Sequence, residues 1–256
     1  MGWDPLRYLS FSDERGRPFV ELVDRIGAEA PTTVVDLGSG PGNFTALLAE
    51  RWPHAHVIGI DSSPTMVDFA ARNTSNIDFV LADLHTWQPA EPVDVLVSNA
   101  TLQWLPDHLT LLDRLARAVS PGGWLAFQVP GNYAELSHTI RAELSLQEPY
   151  AEYLAHAAKP QAHDAATYLR RLTDLGCTVD AWETTYLHML HGPNPVFEWI
   201  ASTSARPTLE ALPTDLRAWF EAELKERLKI AYPQVNGRVV LPFRRVFVVA
   251  RIPSWD

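Results

Sequence analysis

Short apolar runs and amphipathic stretches alternate along the first half of the chain. The runs fall at 34–35, 57–60, 77–81, 93–97 and 124–129 and are rich in valine, isoleucine and leucine. Runs of this length and composition predict strands buried on both faces. Between them lie segments with helical spacing of apolar residues, at 44–52 and at about 106–119. Another is opened by Ser63 as N-cap, with Pro64 at the first helical position. Strands alternating with helices predict an α/β fold, a doubly wound and mostly parallel sheet covered on both faces.

The second half breaks this rhythm. Residues 132–175 are alanine-rich and read as helices broken near Pro149 and Pro160, with His163-Asp164 opening the last of them before Gly176. Period-two features predict a strand at 179–190, followed by a helix through Phe197, Trp199 and Ile200. Across 212–231, Leu212, Leu216, Trp219, Phe220, Leu224 and Leu228 form one stripe, expected to pack on a core. A final strand is expected at 243–252.

Chemistry enters where the first run ends, at Asp36-Leu37-Gly38-Ser39-Gly40-Pro41-Gly42-Asn43. An acid and three glycines between a strand and a helix let backbone approach a nucleotide-like ligand closely, because no Cβ intervenes. A dinucleotide fingerprint requires G-x-G-x-x-G. Counted from Gly38, its third glycine would fall at Asn43; counted from Gly40, at Thr45. The spacing therefore argues against NAD. Asp36 would repel a pyrophosphate and suits a cation.

Asp61 ends the second run, about 20 residues after the loop, where a doubly wound fold places a ribose-binding acid. Its carboxylate can accept hydrogen bonds from both ribose hydroxyls, with Ser62 beside it. Asp83 follows the third run, placed to accept an adenine amino group with the Leu84 amide nearby. Asn99 follows the fourth. Ligands bind such sheets at the carboxyl ends of the strands, where Asp36, Asp61, Asp83 and Asn99 all fall.

Bulk properties narrow the field. A chain of 256 residues allows one core domain with a sizeable insertion or cap. The lone Cys177 excludes a disulfide framework and a cysteine-rich metal site. No basic segment leads into an apolar run at the N-terminus, so no secretory signal is expected. No window approaches the roughly 20 apolar residues of a membrane span. The net charge of −10 opposes nucleic-acid binding. A cytoplasmic enzyme of a small molecule is expected, as a monomer or weak homo-oligomer.

The stretch Asp36–Gly42 resembles motif I of the class I S-adenosylmethionine-dependent methyltransferases, in which the acid lies near the ammonium end of the cofactor. A closer resemblance spans nearly the whole chain. Trp3-Asp4-Pro5, Tyr8-Leu9-Ser10-Phe11, Glu14-Arg15 and Arg17-Pro18 resemble the opening of the trans-aconitate 2-methyltransferase family. So do Gly59-Ile60-Asp61-Ser62-Ser63-Pro64-Thr65-Met66 and Asn99-Ala100-Thr101-Leu102-Gln103-Trp104-Leu105-Pro106-Asp107-His108. In the second half, 176–186 and 242–251 continue the pattern. Ser39 departs from it, since many relatives carry cysteine there, and 145–165 matches least well.

The resemblance implies a seven-stranded Rossmann-like sheet closed by an antiparallel hairpin, one methyltransferase domain over 1–256, and helical cap segments at 132–165 and 193–232 over the active site. It implies S-adenosylmethionine as cofactor, held by Asp36, Gly38, Gly40, Asp61, Ser62, Asp83, Leu84 and Asn99. It also implies methyl transfer to a carboxylate of trans-aconitate or a close polycarboxylate. Such a carboxylate, with a pKa near ~4, is already ionised at neutral pH, so no general base is expected. His108, His188 and His191 are accordingly read as structural or surface residues. A polycarboxylate needs cations, and arginine can grip a carboxylate in a two-pronged way. The candidates are Arg17, Arg206 in a loop beside a cap helix, and Arg245 or its neighbour Arg244. Tyr8, Gln103, Trp104 and Tyr186 could add hydrogen bonds or a wall. Two other readings stay open: methylation of another acid such as a malonyl group on a carrier protein, and a non-catalytic cofactor-binding sensor.

Overall fold

Residues able to bury both faces of a strand gather at the centre of a seven-stranded sheet. The structure, a computed structural model, describes residues 12–105 and 107–254. Tyr8 lies outside the described residues. In chain order the elements of the first half are α1 (Ser12–Asp24), β1 (Thr33–Leu37), α2 (Asn43–Arg51), β2 (His56–Asp61), α3 (Pro64–Asn73), β3 (Asp78–Leu81), β4 (Val93–Asn99), a short 3-10 turn (Leu102–Trp104), α4 (His108–Arg117) and β5 (Val119–Pro130). They are followed by α5 (Leu136–Ser145), α6 (Ala151–Leu154), α7 (Ala165–Thr173), β6 (Thr178–His191), α8 (Pro195–Ala201), α9 (Arg206–Ala211), α10 (Thr214–Ala231) and β7 (Arg238–Arg251).

The strand order is β3-β2-β1-β4-β5-β7-β6. β1 pairs in parallel with β2 (Val34 opposite Val57) and with β4 (Val34 opposite Val95). β2 pairs with β3, and β4 with β5, also in parallel. Gly122 N–H donates to Ile252 O and Gly131 N–H to Arg244 O, so β7 runs antiparallel to β5. The sheet is therefore mixed, parallel in its first five strands. β1 sits between two neighbours and is covered on both faces, which explains why Val34, Val35 and Leu37 are fully buried.

The described residues divide into two compact units, one within 12–129, 162–184 and 245–254, the other of 130–161 and 185–244. The first unit holds the main core: Val35, Leu37, Leu96, Leu125, Phe127, Val246 and Val248 from the sheet pack with Leu112 and Leu115 of α4 and Tyr168 and Leu172 of α7. In the second unit α10 packs on α5 and α8, and α9 on α6 and α8. Among the described residues no helix is long and apolar enough to cross a membrane.

Four expectations from the sequence need correction. The helix expected at 106–119 is shorter, and β5 starts at Val119 rather than 124. Val119 lies opposite Val93 and Trp124 opposite Val95, so Pro121-Gly122-Gly123, whose residues alone read as a turn between that helix and the strand, forms an irregularity inside the strand. Gly122 takes a left-handed φ of 78° there. The last strand begins at Arg238 instead of 243; Val239 and Leu241 are buried while Val240 is exposed, the alternation of a strand. Trp219 does not belong to the buried stripe of α10. Its ring is 64% exposed, whereas Phe220, Leu224 and Leu228 are buried. The helix rotates 100° per residue, and it is Phe220 that turns inward, its ring against Tyr150 at 5.0 Å.

Phe220→Ala should therefore cost about 3–5 kcal/mol of stability, the scale of a deleted core aromatic. Trp219→Ala should change it by no more than about 0.5 kcal/mol. Denaturant titration of both variants checks this, and equal losses would restore Trp219 to the core.

Candidate functional site

The glycine-rich loop leaves β1 with its backbone in conformations that a side chain would oppose. Gly38 has a φ of 88°, and a Cβ there would fall 2.1 Å from Thr101 Oγ1 and 2.3 Å from Thr101 Cγ2. Only glycine fits against that threonine. Gly40, with a φ of 55°, faces open space instead. The Gly38 and Ser39 amides both donate to Ile60 O, at 2.7 and 3.0 Å, and so tie the loop to the end of β2.

Asp61 completes that tie. Its Oδ2 accepts from Gly40 N–H at 2.9 Å and its Oδ1 from Ser63 N–H at 2.8 Å. One carboxylate thus fixes both the glycine loop and the start of α3, where Ser63 is the N-cap and Pro64 the first residue, as the sequence suggests. Burial raises the Asp61 pKa, opposed by the amides of Ser63, Gly40 and Ser62. Each oxygen keeps a lone pair for a further donor.

Asp36 is the most constrained acid of the site. It is 2% exposed, and its Oδ2 accepts from Thr45 Oγ1 at 2.7 Å. Its Oδ1 is buried without a hydrogen-bond partner, as is the neighbouring Ser39 hydroxyl. Burial pushes its pKa up to about 7; the Thr45 hydrogen bond pulls it down and the Asp61 charge adds to the rise. A buried acceptor without a donor, on a group poised between charged and neutral, fits a cationic ligand group.

A polar chain crosses the ends of the next strands. Asn99 Oδ1 accepts from Gln128 Nε2 at 2.5 Å, and Gln128 Oε1 accepts from Arg245 Nη1 at 3.3 Å. All three are buried. Of the two adjacent arginines, Arg245 faces this chain, while Arg244 donates to Gly131 O. Ala100, next to Asn99, takes a left-handed φ of 52°, a strained conformation of the kind found where a fold fixes a functional turn.

Other candidates are placed less decisively. Asp83 lies exposed beyond β3, its Oδ1 accepting from His85 N–H at 2.9 Å; Ser62 is exposed, and Leu84 is part of the core. Gln103 is buried with its Nε2 on Ala100 O, and Trp104 is half-buried beside it. Arg17 is exposed on α1. Arg206 is not in a loop: it opens α9 and pairs with Glu210 at 2.7 Å. Tyr186 is buried in the second unit, its ring parallel to that of His188. His108 is engaged at both ring nitrogens, by Leu105 O and by Tyr168 OH at 2.7 Å, and burial lowers its pKa. His188 is buried against Trp199 and Phe243, and His191 is exposed.

Within the first unit, hydrogen bonds thus join Gly38 and Gly40 to the end of β2 and Asp61, and Asn99 to Arg245 through Gln128, while Asp36 feels the charge of Asp61. Thr45, Thr101 and Gln128 were not foreseen. Gln128 carried a visible signal, an amide inside the apolar run 124–129. Thr45 and Thr101 carried none, since each matters through a partner remote in sequence.

Comparison with known proteins identifies the family. A family model described as a methyltransferase domain matches residues 11–181. A trans-aconitate 2-methyltransferase of Mycobacterium sp. (strain KMS) is 49% identical over 97% of this chain and 99% of its own length. The enzyme of that name from Rhodococcus jostii is 48% identical over 98% and 99%, and that from Streptomyces avermitilis 45% over 97% and 96%. Among solved structures, Haemonchus contortus phosphoethanolamine N-methyltransferase 2, in complex with phosphomonomethylethanolamine and S-adenosylhomocysteine, superposes with a TM-score of 0.59 at 16% identity, covering 97% of this chain and 57% of that one. The cyclase SpnF superposes with a TM-score of 0.57 at 14% identity, covering 93% and 82%. These structural likenesses speak to the fold alone. The chain belongs to the trans-aconitate 2-methyltransferase family and carries its class I methyltransferase fold.

The state of Asp36 gives a test by pH. Its folded pKa is raised, so its contribution to stability is present in full below about pH 4 and is lost as pH rises through about 7. A cationic ligand reverses the preference by favouring the carboxylate. Affinity for S-adenosylhomocysteine should therefore rise roughly tenfold between about pH 5.5 and 8, and Asp36→Asn should flatten the rise. Calorimetric titration across that range measures it; an unchanged slope in the variant would remove Asp36 from the ligand.

Proposed function

We propose that this chain transfers a methyl group from S-adenosylmethionine to a carboxylate of trans-aconitate or a close polycarboxylate, forming the monomethyl ester. The observation that carries the reading is the 45–49% identity to relatives of that name over nearly the full length, second half included. The donor, when bound, supplies an electrophilic methyl group on a sulfonium. Asp36 is proposed to meet its ammonium end, Gly38 and Gly40 to admit its backbone-hugging part, and Asp61 with Ser62 to receive its ribose. Asp83 and the Leu84 amide are proposed for the adenine, and Asn99 for the edge beside the methionine end.

The acceptor needs no proton removed, because a carboxylate with a pKa near ~4 is ionised at neutral pH. The chain's task is then to align acceptor oxygen with methyl carbon and to exclude water. Transfer from such a donor would form the oxygen–carbon bond and leave the electron pair of the carbon–sulfur bond on sulfur, so the chain's residues would have no proton to hold or move. We propose that Gln103, Trp104 and Arg245 in the first unit, with Arg17 and Tyr8, orient the substrate; Gln103 Nε2 has a second hydrogen to offer besides the one on Ala100 O. Tyr186 and Arg206 are proposed from the second unit, Arg206 acting only by sharing or leaving Glu210. The reading is of a cytoplasmic enzyme, a monomer or weak homo-oligomer, with no part for nucleic acid.

Incubating the protein with S-adenosylmethionine and a panel of small acids, and reading methyl ester by mass spectrometry, tests this directly. Trans-aconitate should be esterified ahead of monocarboxylates; esterification of another acid alone would overturn the substrate. At saturating cofactor the single-turnover rate should vary little between about pH 6 and 8, where a histidine base would titrate. Asp61→Ala should weaken cofactor binding by roughly 1–3 kcal/mol, since its donors lose their acceptor.

A further inference from the structure

A charge buried in a protein interior needs a partner, and even at the surface of the second unit five cations pair with nearby glutamates. Arg206 pairs with Glu210, Arg217 with Glu221, Arg227 with Glu223, Lys225 with Glu221 and Lys229 with Glu226. Arg141 on α5 does not. Among the described residues no carboxylate lies within ion-pair distance of it. Its Nη1 donates to Ser204 O and to Thr208 Oγ1, both at 2.9 Å, and both acceptors are neutral. Its Nε is buried with no partner at all.

The surroundings repeat the pattern. Ser137 and His138 stand four and three residues before Arg141, on the same face of α5. Both are buried, and Ser137 Oγ and His138 Nδ1 have no hydrogen-bond partner. Burial, followed by the charge of Arg141, pushes the His138 pKa down to about 4, so this imidazole is neutral and adds no competing positive charge. Tyr133 lies edge-on to the His138 ring at 5.1 Å. With Nη1 anchored, the edge of Arg141 formed by Nε and Nη2 meets no protein acceptor. That edge is the one that forks onto a carboxylate.

We infer that Arg141, held by Ser204 and Thr208 and flanked by Ser137 and His138, is a carboxylate-binding site of the second unit and takes one carboxylate of the substrate. The inference rests on the proposed function, which supplies a ligand with several carboxylates. The sequence reading passed over Arg141 in favour of Arg206, whose guanidinium already has Glu210.

Full-length Arg141→Met and Arg141→Lys proteins test it against wild type. KM for trans-aconitate should rise roughly 30-fold in the methionine variant and roughly tenfold in the lysine variant, because a point charge cannot reproduce the fork. The kcat should stay within about threefold, and S-adenosylhomocysteine should bind as to wild type. The penalty should shrink for an acid with one carboxylate fewer. If the methionine variant fails to fold, the lysine variant, which keeps the charge, carries the test. A wild-type KM in the folded variants would overturn the inference. So would an equal loss of S-adenosylhomocysteine affinity, which would assign Arg141 to the carboxylate of the cofactor. Should wild type esterify no polycarboxylate, the proposed function falls by itself. Calorimetry of trans-aconitate in the presence of S-adenosylhomocysteine then decides Arg141 separately: binding to wild type and not to Arg141→Met supports the site, and no binding to either overturns it.

Discussion

A carboxylate kept out of water demands either a proton or a cation, and Asp36 places that demand at the carboxyl end of the central strand. The demand exists because β1 lies between β2 and β4 and is covered on both faces, so its last residues have no route to solvent. Thr45 meets half of it from α2 and leaves Oδ1 open. Any hydrogen-bond donor could meet that oxygen, but a cationic one also offsets the charge, and under the proposed function the ammonium group of the cofactor would do both. The fit of Asp36 to a cationic group thus follows from the position of one strand in the sheet.

The neighbouring acid works differently. Asp61 is anchored through two backbone amides, so its orientation is fixed before any ligand arrives. It carries structural duty on one lone pair of each oxygen and leaves the others for hydroxyls. The charge of Asp61 adds to the rise that burial gives the Asp36 pKa, while at Asp61 the amides of Ser63, Gly40 and Ser62 oppose burial. The loop between them tolerates no substitution at Gly38 because Thr101, arriving from the end of β4, occupies the space of a Cβ. The ends of three strands are therefore built as one piece.

Much of this was legible in the sequence, for a reason that also marks its limit. Strand ends announce themselves: an apolar run stops, and a polar residue such as Asp36, Asp61 or Asn99 stands where it stops. The side chains of helices carry no such mark. Phe220 and Trp219 look alike as letters, and only the rotation of α10 decides that one is core and the other exposed. The fifth strand was placed too late because Pro121-Gly122-Gly123 reads as a turn, although a glycine at positive φ can sit inside a strand as an irregularity. The sequence reading puts Arg206 in a loop, yet Pro207 beside it is a helix-opening signal, a proline in the first turn. Arg141 was invisible for a related reason: its distinction is a missing partner, and the sequence shows only which residues exist, never which are unmatched.

The charge balance gives these short-range features their weight. With a formal net charge of −10, the protein repels a polyanion at long range, and salt screens that repulsion over about 10 Å. Recognition of a polycarboxylate must then come from contacts made inside that distance, where desolvated arginines act in a low dielectric. Lysine, a strongly hydrated point charge, is poorly suited to this, and the chain has only Lys159, Lys225 and Lys229. Within the second unit Lys225 and Lys229 are bound to glutamates, and so are three arginines. An acidic protein that neutralises most of its cations internally can still discriminate among acids, provided that a few guanidiniums such as Arg141 are held rigid and left without an internal anion.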